Sequence, residues 1–183
     1  GFIPQSIFIG LGGTFAPWVG ALVKDIHQPI LLVVPDEMQK ETIIRLSRVG
    51  FDNVLGYLQG GFKSWEASGK DVDTLQSVSA EVLAQQLDKE ALVFDVRKPG
   101  EYAAEHIENV TSTPLDFLND HLTEFPINKD FYVHCAGGYR SVIAASILKA
   151  RGFRKVIDVA GGYGAIKETG IKRTQAIACS NSK

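Results

Sequence analysis

A lone thiol carries most of the chemistry this sequence offers. Cys135 stands in VHCAGGYRS (133–141), where an apolar run ends, two glycines follow, and Arg140 comes at the edge of a run that reads as a helix over 141–151. A free thiol titrates near pH ~8.5, and a helix N-terminus with a neighbouring cation lowers that value, which makes a cysteine nucleophilic at neutral pH. Gly137 and Gly138 admit positive φ, letting the loop's N–H groups turn inward around one point. The expected result is a cup of donors lined by Ala136, Gly137, Gly138, Tyr139 and Ser141. Cys135 would sit at its base and Arg140 at its edge, an arrangement suited to an anion on sulfur. The plainer reading makes Cys135 a small buried hydrophobe in a tight turn. Cys179, in the polar chain end IACSNSK, has no comparable setting.

The rest of the composition narrows the classes. The chain has 183 residues, is 45% hydrophobic and 22% charged, and carries a formal net charge of −2, so it can build real cores and offers no basic surface for nucleic acid. No apolar run approaches the ~18 residues a membrane span needs. Two widely separated cysteines do not make a disulfide framework and fit a reducing, cytoplasmic setting. His27, His106, His121 and His134 are too scattered to propose a metal site. Neither GLGG nor AGGYG has the placement of a dinucleotide fingerprint, so no cofactor is expected.

The elements that must position Cys135 are visible through an internal repeat. RLSRVGFDNVLGYLQGGFKSWEASG (45–69) lies over ILKARGFRKVIDVAGGYGAIKETG (147–170). Both read as helix, Gly-Phe, strand, Gly-Gly-aromatic, short helix and closing Gly. Upstream lie the apolar runs PILLVV (29–34) and FYVH (131–134), and further upstream GFIPQSIFI (1–9) lies over EHIENVTSTPL (105–115). The second copy adds a front half: a helix over 77–87 capped by Ser79, a strand over 91–96, and a helix begun by Pro99. Strands alternating with helices predict an α/β fold with a central parallel sheet and flanking helices. The unbroken apolar run 29–34 predicts a strand buried on both faces. The polar stretch 69–76 divides the chain into a partial first domain, 1–74, and a second domain, 75–183. The Cys135 position falls on Val33 or Val34 in the first copy, which therefore lacks the nucleophile. The chain begins at Gly1, within what reads as the middle of a longer protein.

Three features of the second copy, in this order and spacing, resemble the rhodanese family of sulfurtransferases. They are DVRKPGEYAAEHI (95–107), CAGGYR (135–140) followed by Ser141, and the Gly pair at 161–162. The first copy resembles a rhodanese domain missing its front half and its cysteine. The tandem resembles the C-terminal part of fusion proteins in which a metallo-β-lactamase-fold domain precedes two rhodanese domains, which implies such a partner upstream. The resemblance implies that Cys135 takes sulfur from a small-molecule donor as a persulfide and passes it to a thiol acceptor, without a cofactor. It also implies supporting roles for Asp95, Arg97, Glu101 and His106. Arg97 is expected to pair with Glu101 and brace the front of the domain, and Asp95 to hold Arg140. The family's GHIPGA reads EHIENV here, so that turn must be made differently. A single loop cation looks too little for the thiosulfate dianion, which favours a low-molecular-weight or protein-bound persulfide as donor.

Two other readings remain open in the sequence. Cell-cycle phosphatases of similar fold have five residues between Cys and Arg, whereas Ala136, Gly137, Gly138 and Tyr139 are four, a cup sized for sulfur. A collapsed loop, plugged by Tyr139, would instead make the pair a non-catalytic docking module for a larger metallo-hydrolase or persulfide dioxygenase.

Overall fold

The computed structural model describes residues 1–12, 14–87 and 90–174. Cys179 lies outside them. The chain divides into two compact units, Gly1–Thr74 and Leu75–Lys183. Among the described residues, no helix is long and apolar enough to cross a membrane.

The first unit contains α1 (Phe15–Leu22), β1 (Ile30–Leu32), α2 (Gln39–Ser47), β2 (Val54–Tyr57) and α3 (Gly61–Ala67). Strands β1 and β2 pair in parallel as a two-stranded sheet. Its core gathers Phe15, Val19, Leu32, Val34, Leu46 and Phe51. The expectation of a strand buried on both faces fails here. Leu32 is buried, but Leu31 is 73% and Leu55 65% exposed. The apolar run feeds one packed face only: Leu32 and Val34 join the core while Leu31 stands exposed.

The second unit adds β3 (Gln76–Val78), α4 (Ala80–Leu87), β4 (Leu92–Asp95), α5 (Pro99–Ala104), β5 (His106–Ile107) and β6 (Thr111–Ser112). There follow two short 3-10 turns, β7 (Phe131–His134), α6 (Tyr139–Ala150), β8 (Val156–Val159), α7 (Gly162–Lys167) and β9 (Arg173–Thr174). Five strands form a parallel sheet in the order β3-β8-β7-β4-β6. Every residue of β7 and β8 is buried, as strands covered on both faces require. One face packs Val93, Tyr132, Ile157 and Val159 under Leu83 of α4 and Ile166 of α7. On the other, Phe94, Phe125 and Phe131 form an aromatic cluster with centroid separations of 4.4 to 5.6 Å.

Two boundaries differ from expectation. Residues 76–78 are a strand rather than helix, because they complete the sheet edge beside β8. Ser79 still caps the helix: the Val82 N–H donates to its Oγ at 3.4 Å. Helix α6 begins at Tyr139, two residues early, because Gly138 at φ 100° takes the N-cap position.

Details recur between the units. Gly60 and Gly61 have φ of 75° and 59°, and Gly161 and Gly162 have 73° and 54°. A Cβ on Gly61 would lie 2.8 Å from the Val34 carbonyl oxygen, and one on Gly162 would collide with the Cys135 carbonyl. The same contact thus falls on Val34 in the first unit and on Cys135 in the second. Phe2 bridges Asp73 antiparallel, as His106 pairs with Thr174. Gln5 and Asn109 both take positive φ, 66° and 61°. Asn109 makes the turn in EHIENV without glycine, a left-handed position that asparagine tolerates better than most residues.

Candidate active site

Cys135 follows directly on β7, at the carboxyl end of a strand in the middle of the sheet. The residue is 1% exposed, at the base of a loop whose Ala136 and Gly137 are exposed. The Gly138 N–H donates to its Sγ at 3.1 Å. What orients this loop is α7. The Tyr163 N–H donates to the Cys135 carbonyl at 2.6 Å and the Gly164 N–H to the Ala136 carbonyl at 2.9 Å. With its carbonyls drawn toward α7, the loop turns the Gly138 N–H the other way, toward sulfur. Sequence reasoning alone does not find this clamp. Its signal was the recurrence of the Gly pair in both units. Tyr139 stands 38% exposed at the start of α6. Ser141 is fully buried; its Oγ donates to the Gly138 carbonyl at 3.2 Å, bracing the loop from below.

The two arginines have exchanged their expected partners. Arg97 binds Asp95, not Glu101: Nε reaches Oδ1 and Oδ2 at 3.0 and 2.9 Å, and NH2 reaches Oδ2 at 2.6 Å. The Arg97 N–H donates to the same carboxylate at 2.9 Å, and its NH2 donates to the Glu105 carbonyl at 2.7 Å. Residues two apart at a strand end close this ring, which consumes the carboxylate that was expected to hold Arg140. Arg140 instead meets Glu101 edge to edge, NH1–Oε2 at 2.5 Å and NH2–Oε1 at 2.8 Å. Glu101 also accepts from the Lys98 N–H at 3.1 Å, so one carboxylate ties the start of α5 to the start of α6. The Arg140 hydrogen bonds, outweighing the effect of burial, pull the Glu101 carboxyl down to about 2. Arg140 is pushed up, chiefly by Glu101, and also feels the Cys135 sulfur.

Beneath the loop, His134 is fully buried, with Nδ1 3.4 Å from the Cys135 carbonyl and Nε2 3.8 Å from Asp95 Oδ2. Burial pushes the imidazole below its ordinary value, against the smaller opposing pull of Asp95. Asp158, on β8, is 5% exposed and its carboxyl is pushed up by burial, against hydrogen bonds from Ser141 and Ser77. The guanidinium of Arg97 lies 3.7 Å over the Tyr163 ring, joining the Asp95 pair to the helix that clamps the loop. His106 stands apart from the loop. Its Nδ1 lies 2.8 Å from the Tyr102 carbonyl and its ring stacks on Tyr102 at 3.8 Å. The structure thus brings Cys135, Ala136, Gly137, Gly138, Tyr139, Arg140, Ser141, Asp95, Arg97 and Glu101 into one region, and leaves His106 bracing β5.

A buried thiol under an inward-turned loop, at the carboxyl end of a central parallel strand, defines a cysteine-loop domain of α/β class. Residues 79–169 match the family model of the rhodanese-like domain. A rhodanese-like domain protein from Staphylococcus aureus is 31% identical, with a TM-score of 0.50, and the match covers 54% of this chain and 97% of that one. A rhodanese-related protein from Thermoplasma volcanium is 30% identical over similar shares, 54% and 97%, with a TM-score of 0.50. Through residues 79–169, the chain belongs to the rhodanese-like domain family. Among curated relatives, YrkF of Bacillus subtilis, provisionally named a sulfur carrier protein, is 35% identical over 102 residues, 55% of each chain. A sulfurtransferase of Allochromatium vinosum is 28% identical over 90 residues, 48% of this chain and 84% of that one. The chain spans little more than half the length of YrkF.

Proposed function

We propose that this protein is a sulfurtransferase that carries sulfane sulfur on Cys135. The observation that carries the reading is the Gly138 N–H directed at Cys135 Sγ, in a loop whose carbonyls are tied to α7. The names of YrkF and of the Allochromatium protein support the same class. In the first half-reaction the Cys135 thiolate attacks the outer sulfur of a persulfide, R–S–SH. A sulfur–sulfur bond forms to Cys135, the donor's sulfur–sulfur bond breaks, and its electron pair leaves with the thiolate R–S⁻. In the second, an acceptor thiolate attacks the outer sulfur of the Cys135 persulfide and Cys135 leaves as thiolate. The two halves balance without an oxidant, as covalent ping-pong chemistry. The loop N–H groups stabilise the negative charge on the carried sulfur.

The first unit, in this reading, is a partial rhodanese-like copy with Val34 in place of the nucleophile. The shared glycine geometry at Gly60–Gly61 and Gly161–Gly162 supports it, as do the matching positive φ values at Gln5 and Asn109. A low-molecular-weight persulfide is the favoured donor.

The test is intact mass after exposure to thiosulfate and, separately, to glutathione persulfide. A gain of about 32 Da, one sulfur atom, that Cys135→Ser abolishes is the expected result. No adduct from either donor, with the fold intact, would overturn it in favour of a docking role.

A further inference from the structure

A cation five residues after the nucleophile is the natural anchor for an anionic donor, yet here it is already engaged. Nη1 and Nη2 of the Arg140 guanidinium are both engaged by the two oxygens of Glu101, at 2.5 and 2.8 Å. The side chains are only 16% and 35% exposed, which limits competition from water. Arg97, the other arginine beside the site, is equally committed to Asp95. A bidentate pair of this kind presents no net charge to a ligand, although the Nε–H and one hydrogen on each Nη lie outside it.

We infer that Glu101 is a specificity-determining positioning residue: by occupying Arg140 it withholds the loop's cation from dianionic donors and selects alkyl persulfides over thiosulfate. The inference rests on the sulfurtransferase reading and refines it. Thiosulfate brings two negative charges to a loop with no uncommitted arginine beside it. It must therefore approach Arg140 against the charge of the Glu101 carboxylate, displace that carboxylate, or bind without Arg140. An alkyl persulfide needs only the N–H groups around its outer sulfur, and its leaving group is a single thiolate. The pair is not broken by ordinary acidity, since the Glu101 carboxyl is held at about 2, so the selection persists across the neutral range.

The experiment compares kcat/KM for Cys135 loading from thiosulfate and from glutathione persulfide in the wild type, Glu101→Gln, and Glu101→Gln with Arg140→Gln. Glu101→Gln keeps the shape and removes the charge. It is expected to shift the donor ratio toward thiosulfate by about tenfold, through a lower thiosulfate KM and with a steeper salt dependence. The double variant should lose that shift. A ratio in Glu101→Gln that is unchanged, or moves toward the persulfide, overturns the assignment of Glu101. No loading from either donor in the wild type overturns sulfur transfer instead. In that case the Kd of thiosulfate for Cys135→Ser, with and without Glu101→Gln, still decides the role of Glu101. Binding tightened by the second substitution supports it, and binding unaltered overturns it.

Discussion

The backbone of Gly162 rests on the carbonyl of Cys135, and a side chain there would have to occupy the space of that oxygen and come within 2.9 Å of the Ala136 carbonyl carbon. Gly162 also sits at φ 54°, a conformation that costs a residue with a Cβ about 1–2 kcal/mol. The close approach lets the Tyr163 and Gly164 N–H groups reach the loop carbonyls. Gly162→Ala should therefore lower stability by at least ~2 kcal/mol and slow Cys135 loading more than tenfold. Gly137→Ala is the stability control, because a Cβ there meets nothing within 4 Å, and its melting temperature should barely move. Thermal melts and loading rates of both variants, made side by side, would show whether glycine at 162 is needed.

Asp95 and Arg97 are 0% and 4% exposed, so removing one charge strands the other away from water. Asp95→Asn should cost roughly 3–5 kcal/mol in urea unfolding. Arg140→Gln, at the more exposed pair, should cost about 1 kcal/mol or less. Equal costs at the two sites would contradict the view that the Asp95 pair holds the domain front while the Glu101 pair serves the loop.

The parallel sheet, the cysteine loop and the Gly-Gly repeat were legible because they rest on local chemistry: apolar runs, glycine at positive φ, a helix after a strand. Ion-pair partners were not. Arg97 can reach either Asp95 or Glu101 by sequence distance alone, and only the packing of α5 against the start of α6 decides it. Exposure of Leu31 was equally hidden, since a run of apolar residues reads the same whether one face or two are covered. The early start of α6 follows from Gly138 serving as N-cap, a role that glycine in a loop does not advertise.

The turn at Asn109 gives a narrower test. Its φ of 61° follows Ile107 and precedes Val110, both buried, so the turn fixes how β5 enters β6. Asn109→Gly should be tolerated within about 0.5 kcal/mol, while Asn109→Val should cost ~1–2 kcal/mol, because β-branched residues resist the left-handed region. Similar urea midpoints for the two variants would mean that the backbone relaxes to negative φ there.

His134 makes stability depend on pH in a predictable direction. Burial lowers its folded pKa below the ordinary 6.5, despite Asp95 nearby. The folded protein therefore keeps this imidazole neutral while the unfolded chain takes up a proton as pH falls through about 6.5. Since the unfolded state then binds more protons, stability is lost as pH drops, by up to about 1.4 kcal/mol per pH unit for one site. The window from pH ~7.5 to ~5.5 lies above the titration of ordinary carboxyl groups, and comparison with His134→Asn separates His134 from the other histidines and from Asp158, whose carboxyl burial pushes up. Urea unfolding across that window should show the loss in the wild type and a flatter profile in His134→Asn. Parallel profiles would assign the dependence to other groups and show that His134 accepts its proton without strain in the folded state.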